Sequence, residues 1–558
     1  MKKIIISLAT IVGILTLVTS CIEETFPQNS TITGEQAGSA PGAFDNFVGS
    51  LTSTLAGQFT YSGSDHDAYD YGYSTFFLSR DLMGQDMALT TTSDTEWYNN
   101  WYSYSAYLGP GYALSQMPWT YYYGWIKNCN IVITQAGDEP DETHISGAGI
   151  AYAMRAMFYM DLARMYTNKT YAIDKTAETV PYVTEKTSLT DLTNNPRATN
   201  EEMWGYIISD LDKAETFLAN YKRSDKYTPD LSVVYGLKAR AYQTMADWVN
   251  AEKYAKLAMN GYTMLTPSEY INRETGFNTP NNAWMFALRF KQDDPNIKLN
   301  DGDSSWGSWM ILEVTGAGYA SNYGAPKQID RHLYETINPT DCRKQCFIDF
   351  SLNDIEDEAE VKEALKNYSA YPDRILASAA ASEAKTIGGL SLKFRANGGA
   401  AGRDNQYVGF SVSVPLMRVE EMKLIEAEAV GMQAGREAEG ISLLKAFATQ
   451  RDEQYTYGTH NEAYGNSSTS AFQNEVWWQR RIEFWGEGLA MFDIKRLNKG
   501  IIRSYPNTNH PKGYRWNFTS VPEAMNWCIA QSETNYNIAC TNNPAPSQPT
   551  DDSAEFVW

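Results

Sequence analysis

Apolar residues recur every three or four positions through long stretches of this chain, the spacing that lines one face of an α-helix. In MPWTYYYGWIKNCNIVITQAG, the residues Tyr122, Ile126, Asn130 and Ile133 fall on one face, and Gly137 ends the helix. ISGAGIAYAMRAMFYMDLARMYTN sets Ala151, Met154, Phe158, Leu162 and Tyr166 at the same spacing. A third helix starts at Thr199, an N-cap with Glu202 three residues on, which is the pattern of a capping box. Another helix runs through SAFQNEVWWQRRIEFWGEGLAMFDIKRLNKG, and PLMRVEEMKLIEAEAVGMQAGREAEGISLLKAFATQ, 415–450, is a looser copy of the paired-helix repeat unit described below. Between about 280 and 410 the periodicity breaks into a strand-like NAWMFALRF at 282–290 and loops rich in Gly, Asn and Ser. The tail after Gly500 has no sustained period.

The most specific helical signal is LSVVYGLKARAYQTMADWVNAEKYAKLAM. Tyr235, Ala239, Tyr242, Ala251 and Ala258 occupy the aromatic and small positions of a tetratricopeptide-type unit, in which two antiparallel helices meet closely at alanines. The expected fold is therefore mainly α, a helical-repeat scaffold with a loop-rich, mixed second lobe inserted into it or packed upon it. The expected divisions are a leader at 1–20, a tether at 21–43, a helical region at 44–280, and a second region at 281–558 with loops and further repeat-like helices.

Composition narrows the function more than the fold. A formal charge of −21 repels phosphate backbones, so nucleic acid is not expected as a partner, whereas neutral ligands remain open. The chain has 15 Trp and 37 Tyr, a large aromatic surface in need of a use. No two of its five histidines stand at i, i+4, and HExxH, GxxxxGK[ST], GxSxG and CxxC motifs are absent. No cofactor or metal is expected. Cys342 and Cys346 could meet across a helical turn, but two separate thiols are the simpler reading. Asp301-Gly302-Asp303 could be half of a calcium loop, but without a downstream acidic ligand it reads as a polar turn. Glu483 and Glu487, with Asp493 beyond them, suggest paired catalytic carboxylates. Arg480, Arg481, Lys495 and Arg496 beside them argue for structural ion pairs, because neighbouring cations lower the pKa that a general acid needs raised.

The N-terminus has Lys2 and Lys3, an apolar run from Ile4 to Val18, and small residues before Cys21, the layout of an export signal. No later window is apolar enough to predict a spanning helix. Val18-Thr19-Ser20-Cys21 resembles the bacterial lipobox, which implies cleavage before Cys21 and acylation there, with multiple acyl chains giving a stable anchor. Glu23 and Glu24 resemble the acidic signal that sends Bacteroidetes lipoproteins to the outer face of the outer membrane.

Several stretches in order along the chain then resemble the SusD/RagB family of Bacteroidetes outer-membrane lipoproteins. They are the lipobox; Trp119, Tyr123, Ile126 and Asn130; MRAMFYMDLARMY followed by TVPYV; PRATNEEMWGYIISDLDKAETFL; the repeat helices; INPTDCRKQ with Asp341 and Arg343; RVEEMKLIEAEA; and RRIEFWGEGLAMFDIKR. The closing VPEAMNWCIAQSETNYN departs from the family's usual ending. The resemblance implies a non-catalytic, cell-surface glycan-binding lipoprotein. It would sit as a lid on a SusC-like TonB-dependent outer-membrane transporter and capture oligosaccharides or polysaccharides for import. Two other classes compete with it: a carbohydrate-active hydrolase, and a peptide- or protein-binding scaffold.

Sugars are held by flat rings against their C–H faces and by amides and carboxylates on their hydroxyls. Two stretches combine these residue types in loop-like context, and in the family the ligand surface is formed largely by loops in the same two regions. In SDTEWYNNWYSYSAYLGPGYALSQMPW, 93–119, the candidates are Trp97, Tyr98, Asn100 and Trp101, with Asn99 and Asp67 as further polar groups. In KLNDGDSSWGSWMILEVTGAGYASNYGAPKQ, 298–328, they are Trp306, Trp309, Tyr319 and Tyr323, which stand on Gly-rich segments expected to leave them exposed.

Overall fold

A computed structural model describes residues 42–57, 68–298 and 300–558. The leader, Cys21, the tether up to residue 41 and Asp67 lie outside the described residues, and Ala43, counted with the tether, already begins a helix. The elements used below are, first, α1 (Ala43–Ser53), α2 (Thr75–Asp81), β1 (Met87–Leu89), α3 (Asn99–Tyr102), α4 (Ala113–Ala136) and α5 (Ile145–Tyr166). They continue with β2 (Glu178–Pro181), β3 (Arg197–Thr199), α6 (Asn200–Phe217), α7 (Leu231–Met245), α8 (Trp248–Ala258) and β4 (Trp284–Arg289). Then come α9 (Trp306–Met310), β5 (Lys327–Ile329), β6 (Ser413–Arg418), α10 (Val419–Gly431) and α11 (Glu437–Ala448). The last are α12 (Ala471–Glu483), α13 (Ala490–Arg496), β7 (Ile501–Ile502) and β8 (Asn517–Phe518).

The protein is mainly helical, with strands confined to four antiparallel pairs among the described residues: β1–β5, β2–β3, β4–β6 and β7–β8. Helices α4 to α8 pack in succession, each on the next. Local chemistry sets their ends. Gly137 closes α4 at φ 74°. Thr199 and Glu202 form the capping box of α6, the Glu202 carboxylate accepting the Thr199 N–H at 2.9 Å. Asp230 and Asp247 cap α7 and α8, each such cap contributing about 1 kcal/mol. Ala239, Ala251 and Ala258 are fully buried where these two helices meet, as their spacing predicts.

The stack then continues across a gap in the chain. α8 packs on α10, and α10 on α11 and α12. At the α10–α11 crossing a Cβ on Gly440 would lie 2.4 Å from Gly431 Cα, so the two backbones touch only because both residues are glycine. The neck of the intervening region is the β4–β6 pair, running from Trp284 opposite Arg418 to Arg289 opposite Ser413 with an irregularity in register around Phe286. β4 lies inside the segment read as strand-like from sequence.

Helix α5 differs from its reading as a one-faced helix, because it is buried all round from Gly147 to Tyr166. Its polar residues are paired inside: Arg155 holds Asp210 at 2.7 Å and Glu185 at 2.6 Å, and Asp161 lies between Arg80 and Arg164. Buried charges persist only with such partners. No helix among the described residues is long and apolar enough to cross a membrane.

Candidate functional site

The β1–β5 pair, with Met87 opposite Ile329 and Leu89 opposite Lys327, brings the two aromatic segments side by side. Beside it opens a cleft of about 630 Å³ lined by Tyr69, Thr92, Ser93, Asp94, Glu96, Trp97, Asn99, Asn100, Tyr107, Tyr112, Ala113 and Leu114. Trp97 is 39% exposed on its wall. Tyr107 and Tyr112, 58% and 47% exposed, meet edge to face at 5.1 Å as a second aromatic element of the same cleft. Hydrogen bonds hold the polar groups between them. Asn100 Nδ2 donates to the Trp97 carbonyl at 3.2 Å, and Asn99 Nδ2 donates to the Tyr514 hydroxyl at 3.3 Å.

The exposed rings rest on buried ones. Trp97 contacts Tyr69 at 5.5 Å, Tyr69 contacts Trp101 at 6.3 Å, and Trp101 contacts Tyr98 at 5.5 Å. Tyr98 meets Trp309 edge on at 4.8 Å, Trp309 stacks on Tyr319 at 4.1 Å and 5°, and Tyr319 reaches Tyr323 at 5.2 Å. One continuous chain of rings therefore joins the two segments. Beneath it Lys327 Nζ donates to Glu96 Oε2 at 2.5 Å, both groups fully buried.

The expectation of exposure is thus corrected for four candidates. Tyr98, Trp101, Trp306 and Trp309 are buried and cannot lie against a ligand, whereas Trp97, Asn100, Tyr319 and Tyr323 keep accessible surface. The physical reason lies in the glycines. A Cβ on Gly307 would come within 2.8 Å of the Phe410 backbone, and one on Gly318 within 2.6 Å of the Phe410 ring. These glycines let the segment close tightly on Phe410 and do not loosen it. Trp306 packs edge on against Phe77 and Phe394, and Trp309 Nε1 donates to the Ala68 carbonyl at 2.8 Å. Tyr107 and Tyr112 were not chosen as candidates from sequence. Gly109-Pro110-Gly111 between them is the signal that a turn holds this pair outside the core.

Residues 68–243 match a family model described as starch-binding associating with outer membrane. Residues 240–548, more than half of the chain, match the model of the SusD family. The chain belongs to the SusD family. No curated protein matches the sequence. Solved SusD-like structures match it along nearly their whole length. A SusD-like carbohydrate-binding protein from Bacteroides vulgatus is 21% identical, with a TM-score of 0.67, covering 89% of this chain and 97% of its own. A SusD superfamily protein from Bacteroides thetaiotaomicron is 18% identical, with a TM-score of 0.66 over 92% and 100%. Surface glycan-binding protein A from Bacteroides thetaiotaomicron, solved in complex with laminarihexaose, is 16% identical, with a TM-score of 0.61 over 90% and 98%. These likenesses establish that the chain has the fold of SusD-like proteins.

In this SusD-family chain the catalytic-looking carboxylates belong to a buried ion cluster. Glu483 ends α12 and is held by Arg451 at 3.0 Å, Arg418 at 3.1 Å and Arg343 at 3.4 Å. Glu487 is held by Arg418 at 2.9 Å and Lys393 at 2.6 Å. Burial pushes the Glu483 carboxyl up, but the three guanidinium groups outweigh it and hold it well below the usual carboxylate range. A carboxyl that stays ionised and enclosed by arginines has no proton to donate at neutral pH. Asp493 is likewise paired, with Arg480 and Arg496 at 2.7 Å each. In the Asp301–Asp303 turn, Asp303 Oδ1 accepts the Gly318 N–H at 3.0 Å and Asp301 Oδ1 accepts the Tyr407 hydroxyl at 3.0 Å, two separate structural bonds. Cys342 and Cys346 are buried free thiols.

Proposed function

We propose that this chain is a cell-surface glycan-binding lipoprotein without turnover. It captures oligosaccharides or polysaccharides and delivers them to a SusC-like TonB-dependent transporter in the outer membrane. The observation that carries this reading is the open cleft in which Trp97 and the Tyr107–Tyr112 pair flank Asn99, Asn100, Thr92 and Ser93. Rings of this kind take the apolar faces of sugars, and amides and hydroxyls between them take the hydroxyl groups. Membership of the SusD family supports it, as does the likeness in fold to a surface protein solved with laminarihexaose. In this reading the lipobox-like Val18–Cys21 supplies the lipid anchor, and Glu23 and Glu24 support a location on the outer face of the outer membrane.

Affinity electrophoresis through a panel of polysaccharides, followed by calorimetry with oligosaccharides of the retained class, tests the proposal. Trp97→Ala is expected to weaken glycan binding at least tenfold, about 1.4 kcal/mol, while the melting temperature stays close to that of the wild type. Undiminished retardation of Trp97→Ala would remove the cleft from the function. Release of shortened products by the wild-type protein would overturn binding without turnover.

A further inference from the structure

We infer that the cleft selects uncharged glycans and rejects acidic ones, namely oligosaccharides carrying uronate or sulfate groups. This rests on the glycan-binding reading above. Aromatic rings meet the C–H face of a neutral or an acidic sugar alike, so discrimination falls to the groups set between the rings. Asp94 is exposed in the lining, together with uncharged hydroxyls and amides, and no Lys, Arg or His is among the described lining residues; the Glu96 carboxylate is buried on Lys327. Asp94 is exposed three positions before Trp97. A further carboxylate approaches from across the fold, where Glu383 accepts the Thr92 N–H at 2.6 Å.

The cation bonded to the lining residue Glu96 is withdrawn from the cleft. Lys327 is buried, and its ammonium donates to Glu96 Oε2 at 2.5 Å and to the Ala325 carbonyl at 2.7 Å. Lys385 and Lys512 are exposed on neighbouring loops, close in sequence to Glu383 and to Tyr514, but neither lines the cleft. The chemistry of Asp94 then separates the two ligand classes. A carboxylate only accepts hydrogen bonds, so it suits a sugar hydroxyl, which can donate, and offers nothing to a carboxylate or sulfate. An acidic group on a sugar stacked at Trp97 would share the cleft with Asp94, with no cation among the described lining residues to pair it. The overall charge of −21 adds a long-range field of the same sign.

Calorimetry on the full chain decides the matter with two groups of probes. The neutral group is laminari-, malto-, manno- and xylohexaose; the acidic group is hexagalacturonate and a heparin hexasaccharide. Wild type, Trp97→Ala and Asp94→Lys are compared. The expected result is Trp97-dependent binding to at least one neutral probe and binding at least tenfold weaker to both acidic probes. Asp94→Lys is expected to raise affinity for hexagalacturonate tenfold or more at low salt, with the gain disappearing at high salt. Two results would overturn the selectivity and leave the glycan-binding reading standing. One is Trp97-dependent binding of an acidic probe as tight as any neutral one, and the other is no gain in Asp94→Lys. Absence of Trp97-dependent binding to every probe overturns both.

Discussion

Residues 93–114 and 300–328 draw on the same stock of Trp, Tyr, Gly and Ser, and the β1–β5 pair sets them next to each other. The first segment buries Tyr98, Trp101, Tyr102 and Tyr104 but turns Trp97, Tyr107 and Tyr112 outward, while the second folds both its tryptophans, Trp306 and Trp309, into the core and leaves only tyrosines among its rings with accessible surface. What separates them is what the backbone meets. Gly307 and Gly318 lie against the buried Phe410, whereas a Cβ on Gly111 would meet only the Gln531 side chain, at 3.2 Å. Glycine in the second segment permits close approach, and in the first it serves a turn. In the proposed function the outward rings supply the capture surface, and the inward ones hold that surface in place.

Three changes would sharpen or break this contrast. The largest effect is expected from Trp309→Ala. It removes the ring that Tyr98 and Tyr319 rest on, and it should cost about 3–5 kcal/mol in urea unfolding. A loss below about 1 kcal/mol would show that the ring chain is not a support. Next, Gly307→Ala should cost about 1–3 kcal/mol, because the new methyl group meets the Phe410 backbone. Gly111→Ala should stay within about 0.5 kcal/mol. Equal losses from the two glycine variants would erase the distinction drawn here.

The smallest effect is a pH dependence at Asp303. Burial pushes its carboxyl up to about 6, against the Gly318 N–H and the Tyr323 hydroxyl, which favour the ionised form. The unfolded chain titrates near 3.9. Between about pH 4 and 6 the folded state therefore keeps a proton that the unfolded state has lost. The stabilising contribution of this group is complete below about pH 4 and declines as the pH rises to about 6. Asp303→Asn lacks this decline, so urea midpoints should move in its favour relative to wild type as pH rises through that window. A constant difference between the two proteins from pH 4 to 7 would contradict the assignment.

Features decided within a few residues were legible before any coordinates. The Thr199–Glu202 capping box, the stop at Gly137 and the alanines at the α7–α8 contact all follow from spacing along one helix or one turn. The ionic nature of the Glu483 region was legible too, from the arginines in the same stretch. Its actual partners Arg343, Arg418 and Arg451 come from distant parts of the chain, which composition cannot reveal. The same limit explains the misplaced tryptophans. Trp306 lies in a glycine-rich stretch that looks open by itself, and what buries it is a set of rings at Phe77, Phe394 and Phe410, about a hundred residues or more away along the chain. Trp97 and Asn100 remain at the cleft because no distant element among the described residues covers them.

The β4–β6 neck and the packing of α8 on α10 also bear on how the molecule is made. A chain emerging from its N-terminus completes α4 to α8 early, but one flank of α8 waits bare until residues 419–431 appear. The neck cannot zip before then either, and closing so long a loop is an entropically costly, slow event. A nascent chain that ends short of residues 413–431 thus has half a helical stack, an unpaired strand edge and an uncovered apolar flank. At that stage, before the cleft exists, the protein is most exposed to proteases and to sticking to its neighbours.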